Sequence, residues 1–160
     1  MTDQLELLAE LATALLGFSG IVVSLGRTNF SVAGYANRVA ALLWASALAL
    51  TGALLPILHV PLVWSALILA GLSFLVLSWA TRTFVLGGNL HRTDTIPWLL
   101  FALLMPSLAT TGWLAYCLVF DRATLEISYL SVAGSYLLLA MSIFIRLVLA
   151  MDLAKSEADA

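Results

Sequence analysis

Five long apolar runs separated by polar stretches make up most of the chain: residues 4–26, 38–58, 62–82, 97–120 and 126–150, with a polar tail at 151–160. A helix of about 20 residues reaches across the roughly 30 Å hydrocarbon layer of a bilayer at about 1.5 Å per residue. The pattern therefore predicts an all-α, polytopic membrane protein with five transmembrane helices in one domain.

The first run is not apolar all round. With Glu6 at zero on a helical wheel of about 100° per residue, Glu10 falls at about 40°, Thr13 at about 340°, Gly17 at about 20°, Gly20 at about 320° and Ser24 at about 0°. Asp3 and Thr28 continue this row at either end. The remaining surface is almost entirely Leu, Ile, Val, Ala and Phe18. An ionisable side chain facing lipid is costly and turns toward protein or water. Small residues let a neighbouring helix come close. The stripe thus reads either as a packing seam with wet acidic ends, or as the wall of an aqueous path or proton site centred on Glu10.

The second run repeats Ala41, Ala45, Ala49 and Ala53 every fourth residue, a small-residue ridge suited to close helix contact. Pro56 and Pro61 bracket His59 at its end, marking a tight turn into the third run. Trp64 and Trp79, near the two ends of that third run, suit the two membrane interfaces. The connection 83–96 contains Gly87-Gly88-Asn89, a turn signal, and the charges of His91, Arg92 and Asp94; it is the expected docking place for a cytoplasmic partner. Thr95 is an expected N-cap of the fourth run, with Pro97 in the first turn. Pro106 should bend that helix, and the nearby hydroxyls of Ser107, Thr110 and Thr111 could satisfy the carbonyls it frees. In the fifth run Ser128, Ser135 and Ser142 recur at seven-residue spacing, with Ser131 and Arg146 on the same side, which predicts a packing face bridged by interhelical hydrogen bonds.

Composition strengthens the membrane reading. Of 160 residues, 62% are hydrophobic and 10% charged, with a mean hydropathy of +1.06. A soluble domain is nearer about half apolar and a quarter charged, so this chain lacks the polar residues to cover itself. The net charge of −2 gives no basic surface for nucleic acid. The one cysteine, Cys117, excludes a disulfide within the chain. The acidic N-terminus and the lack of a convincing cleavage site predict that the first helix is retained.

Charge also sets an expected orientation. With five spans, Arg27, Arg38, Arg82, Arg92, Arg146 and Lys155 fall on one side and Arg122 alone on the other. Basic residues favour the cytoplasmic side, which puts the N-terminus outside and the C-terminus in the cytoplasm. Asp3, Asp121, Glu126 and His59 then join Glu6 and Glu10 as an outer acidic cluster. In a homo-oligomer with the first helix on its axis, these carboxylates would ring the mouth and concentrate cations.

The chain contains no Walker loop, GxSxG, HExxH or CxxC motif. His59 and His91 fall in connections expected on opposite sides, so no metal or other cofactor is expected. An intramembrane enzyme needs a nucleophile with a matched base, or a metal, and neither pattern is visible. The opening, Glu6 and Glu10 followed by Leu11–Arg27 (LATALLGFSGIVVSLGR), resembles small bacterial inner-membrane proteins of unassigned function. That resemblance implies a bacterial inner membrane and no particular activity. Three functions fit the residues: a homo-oligomeric cation channel lined by the first helix, a membrane-embedded scaffold or subunit of a larger complex, and a proton-coupled small-solute carrier using Glu10.

The orientation is testable in intact cells with Cys117 replaced by serine. A membrane-impermeant thiol reagent should label Arg122→Cys in closed cells, and Lys155→Cys only after the membrane is opened. The reverse pattern contradicts the assignment.

Overall fold

A computed structural model describes residues 2–26, 35–82 and 97–158. All the regular structure among them is helical: α1 (Thr2–Gly26), α2 (Tyr35–Ile57), α3 (Leu62–Thr81), α4 (Pro97–Phe120), a short 3-10 turn (Arg122–Thr124) and α5 (Leu125–Ala158). Four spans, Asp3–Ile21, Val39–Ile57, Leu62–Trp79 and Arg122–Val148, are long and apolar enough to cross a membrane, and Met105–Phe120 is a shorter apolar stretch. The α5 helix continues past residue 150 to Ala158, through the segment read from sequence as a polar tail. Thr95, His91, Arg92, Asp94 and the whole 83–96 connection lie outside the described residues.

The helices pack with α2 and α5 at the centre. The α1 helix rests on both, α3 packs on α2 and α4, and α4 packs on α3 and α5. Sequence periodicity explains which faces meet. On α2, Ala45, Ala49 and Ala53 are buried and Ala41 is half-buried, alongside Leu42 and Leu48. On α5, Tyr129, Val132, Ala133, Tyr136 and Ala140 are buried too, and Tyr129 and Ala133 meet α2 at Gly52. Outward, the surface is apolar: Phe74 is 71% exposed, Leu138 65% and Phe120 74%. Water is a poor solvent for such a surface.

One contact pins the centre. Pro56 lies inside α2 and has no N–H, so it cannot donate to the carbonyl of Gly52 one turn earlier. The Tyr129 hydroxyl of α5 donates to that carbonyl instead, at 2.6 Å. Gly52 also lets three helices converge. A Cβ placed there would meet the Ala133 Cβ at 3.2 Å and the Leu69 Cδ2 at 3.3 Å. The missing donor and the missing side chain, four residues apart in sequence, thus serve the same junction.

The α2–α3 connection is a Schellman turn. The His59 N–H donates to the Pro56 carbonyl at 3.0 Å and the Val60 N–H to the Leu55 carbonyl at 3.1 Å. His59 has φ +62°, the left-handed position that more often holds glycine. Pro61 then leads into α3, so α2 and α3 run antiparallel.

Tyr129→Phe should lower stability by about 1 kcal/mol or more, because it leaves a buried carbonyl without a donor. In a Pro56→Ala background the restored N–H can take that carbonyl, and the same Tyr129→Phe change should cost clearly less. Unfolding in detergent, arranged as a double-mutant cycle, measures this coupling. Equal losses in both backgrounds contradict it.

Candidate functional site on the first helix

The face that α1 turns to the bundle is set by a seven-residue repeat. Leu5, Ala12 and Ser19 are buried, and Leu8 and Leu15 pack partly against the same core. The Ser19 hydroxyl is satisfied inside its own helix by the Leu16 carbonyl at 2.7 Å. On the wheel this face centres near 230°, well over a quarter-turn from the polar stripe.

The stripe therefore points away from the protomer. Glu6, Glu10, Thr13, Gly17 and Gly20 are all exposed. The Thr13 hydroxyl donates to the Ala9 carbonyl at 2.7 Å, and its oxygen stays available as an acceptor. A Cβ added at Gly17 or Gly20 would meet nothing within 4 Å. Only 22% of the α1 span is buried inside the protomer, the smallest share of the four spans. Among the described residues, no other helix covers the stripe. The side chain of Ser24 lies outside the described residues.

The chemistry of this face is simple. Two carboxylates one turn apart attract cations. Below them a hydroxyl oxygen and two glycines leave the backbone open to close approach. The face has acceptors and no nucleophile with a matched base.

The other acidic candidates divide in role. Asp3, His59 and Glu126 are exposed. Asp121 is committed to its own turn, accepting from the Ala123 N–H at 3.2 Å and from the Thr124 hydroxyl at 2.9 Å. The Thr124 hydroxyl also lies 3.3 Å from the Cys117 Sγ. The Asp-x-x-Thr spacing 121–124 carried that capping signal in the sequence. Among the described residues, no three His, Cys, Asp or Glu side chains form a metal-ligating group.

The serine column on α5 is more local than its spacing implied. Ser128 is buried but donates to the Leu125 carbonyl of its own helix at 3.0 Å. Ser142 donates to the Leu138 carbonyl at 2.8 Å. Ser135 alone of the three crosses to another helix in these contacts, with its Oγ 3.0 Å from the Thr110 Oγ1. Beside Pro106, Thr110 and Thr111 donate to the Pro106 and Ser107 carbonyls at 2.8 and 2.7 Å. These acceptors are a turn beyond the carbonyl that the proline frees, because a threonine hydroxyl reaches back only three or four residues. Deeper between α3, α4 and α5, the Tyr136 hydroxyl sits against those of Ser73 and Thr111 without a hydrogen bond of good geometry. Ser73, Ser107 and Tyr136 are buried with their hydroxyls unpartnered.

No protein family, curated protein or solved structure matches the chain.

The two classes of glycine make opposite predictions for the protomer. Gly17→Ala should leave stability unchanged or raise it by up to about 1 kcal/mol, through helix propensity alone. Gly52→Ala should lower it by about 1 kcal/mol or more, because Ala133 is fixed on a packed helix and α5 has to shift. Denaturant unfolding in detergent that ranked the two the other way would contradict the assigned faces.

Proposed function

We propose that the chain is a multi-pass membrane protein whose copies associate along α1 to form a cation-conducting pore. The observation that carries this reading is the exposed α1 stripe, with Glu6, Glu10, Thr13, Gly17 and Gly20 on one face and open space beside both glycines. In a bilayer, a carboxylate two turns into a span needs protein or water beside it. A second copy of α1 across a closed symmetry axis supplies both. The axis then carries rings of carboxylate at its mouth, with hydroxyl and backbone below.

The five helices all cross in this reading, with the N-terminus outside and the C-terminus in the cytoplasm. The basic residues favour that orientation, and it puts Glu6 and Glu10 at the outer mouth. The resemblance of Glu6–Arg27 to bacterial inner-membrane proteins supports that membrane as the location. Lipid and further copies of the chain are the expected partners.

The same open glycine face would also seat a helix of a different protein, which is what a scaffold or complex subunit would need. A stoichiometric second polypeptide retained through gentle purification would favour that reading over a self-assembled pore. A proton-coupled carrier is the third use of Glu10, and saturable, gradient-dependent uptake would favour it.

Reconstituted wild-type protein should pass cations in preference to anions across a planar bilayer. Glu10→Gln removes a charge whose close-range attraction is worth about 1–4 kcal/mol, and should lower the cation-to-anion permeability ratio by about tenfold. Conductance and selectivity unchanged by Glu10→Gln contradict the pore.

A further inference from the structure

The surface between α3 and α4 holds a groove of about 560 Å³, lined by Ala70, Phe74, Leu77, Leu108 and Gly112 among others. Its walls are apolar along most of their length, and its polar side chains are unevenly placed. The Thr111 hydroxyl, midway, is committed to the Ser107 carbonyl at 2.7 Å. The remaining polar groups, Ser78 and Arg82, sit together at one end, where Arg82 is exposed. From Arg82 to Ala70 the groove follows twelve residues of helix, about 18 Å at about 1.5 Å per residue. One leaflet of hydrocarbon is about 15 Å deep.

A second groove makes the comparison useful. Between α1 and α5, Leu11, Ala14, Leu15, Phe18, Met141, Phe144 and Ile145 line about 320 Å³ with no polar side chain. Any acyl chain can fill it, whatever its headgroup. The α3–α4 groove differs in having a fixed cation at one end of an apolar slot of leaflet depth.

We propose that the α3–α4 groove binds an anionic phospholipid, with one acyl chain along Phe74, Leu77 and Leu108 and the phosphate headgroup at Arg82 and Ser78. Arginine suits phosphate because its planar fork of donors matches the phosphate oxygens. Away from Ser78 and Arg82, the described lining offers a polar ligand only the Thr111 hydroxyl, which is already committed, whereas an acyl chain needs no donor. The slot is open beside Gly112, where an added Cβ would meet nothing within 4 Å. The proposal rests on the membrane placement of α3 and α4 and is independent of any association along α1.

The test uses the full chain reconstituted in phosphatidylcholine vesicles. These carry a trace of phospholipid with a photoactivatable acyl chain, bearing either a phosphatidylglycerol or a phosphatidylcholine headgroup. After irradiation, adducts should map to Phe74, Leu77 or Leu108, with about fivefold more from the glycerol probe, the preference that one basic residue near the surface gives. Arg82→Gln should bring that ratio to about one. Gly112→Leu, whose Cβ meets nothing within 4 Å and whose bulk occupies the slot, should remove groove adducts from both probes while leaving those at Phe18 and Phe144. Equal yields from the two headgroups on the wild-type groove overturn the proposal, as do groove adducts that survive Gly112→Leu. A chain that took no adduct on any helix would overturn the membrane placement itself.

Discussion

A carbonyl freed by a proline has no water to turn to in the middle of an apolar bundle, so the chain has to bring it a donor. The Tyr129 hydroxyl does this for Gly52 at 2.6 Å, and much of the architecture follows. The bond ties the start of α5 to the end of α2. Gly52 has to lack a side chain for α3 and α5 to close on it. The Schellman turn after Ile57 then reverses the chain directly below the junction and sends α3 back along α2. The same demand for partners explains why so many hydroxyls are quiet. Thr13, Ser19, Thr51, Ser131 and Ser142 each return a proton to a carbonyl three or four residues back on their own helix. A hydroxyl stored in this way costs the bundle little and leaves the helix faces apolar.

The first helix departs from that economy. Its two carboxylates, Glu6 and Glu10, are exposed rather than turned into the bundle, although Thr13 and Ser19 follow the local pattern. Leu5, Ala12 and Ser19 hold it to the bundle, and the two carboxylates and two glycines look outward. In water such a face would be ordinary. Among the described residues, whose large exposed side chains are mostly apolar, it places two carboxylates on one face of a span. The proposed assembly gives it a function and also relieves the cost of placing Glu10 in hydrocarbon. The groove at Arg82 applies the same logic to a cation, which the headgroup of an anionic lipid would neutralise.

Much of this was legible in the sequence because helix periodicity is a local property. The run lengths gave the helices nearly to their ends, and the wheel gathered Glu6, Glu10, Thr13, Gly17 and Gly20 onto one face. Periodicity alone did not say whether that face turned in or out. The signal was present in the weaker repeat of Leu5, Ala12 and Ser19, whose small members fit a tight contact. Tyr129 was passed over because nothing near it in sequence marks it. Its partner is a backbone carbonyl 77 residues away, detectable only by asking which carbonyl Pro56 leaves without a donor. The serine column on α5 is legible in the sequence as a face but not as a set of bonds. A seven-residue spacing identifies a face, but a serine on it can satisfy itself locally, as Ser128 and Ser142 do. The helical course of 151–158 is not legible in its composition, since polar residues argue against a packed helix and say little about the extension of a long one.

The most direct test is single-particle imaging of the full chain purified in mild detergent, read for stoichiometry and for what occupies the symmetry axis. The account predicts a closed homo-oligomer with the Glu6–Glu10–Gly17 face of every α1 on a hydrated axis. A monomer, or a ring in which that face meets detergent at the periphery, would contradict it.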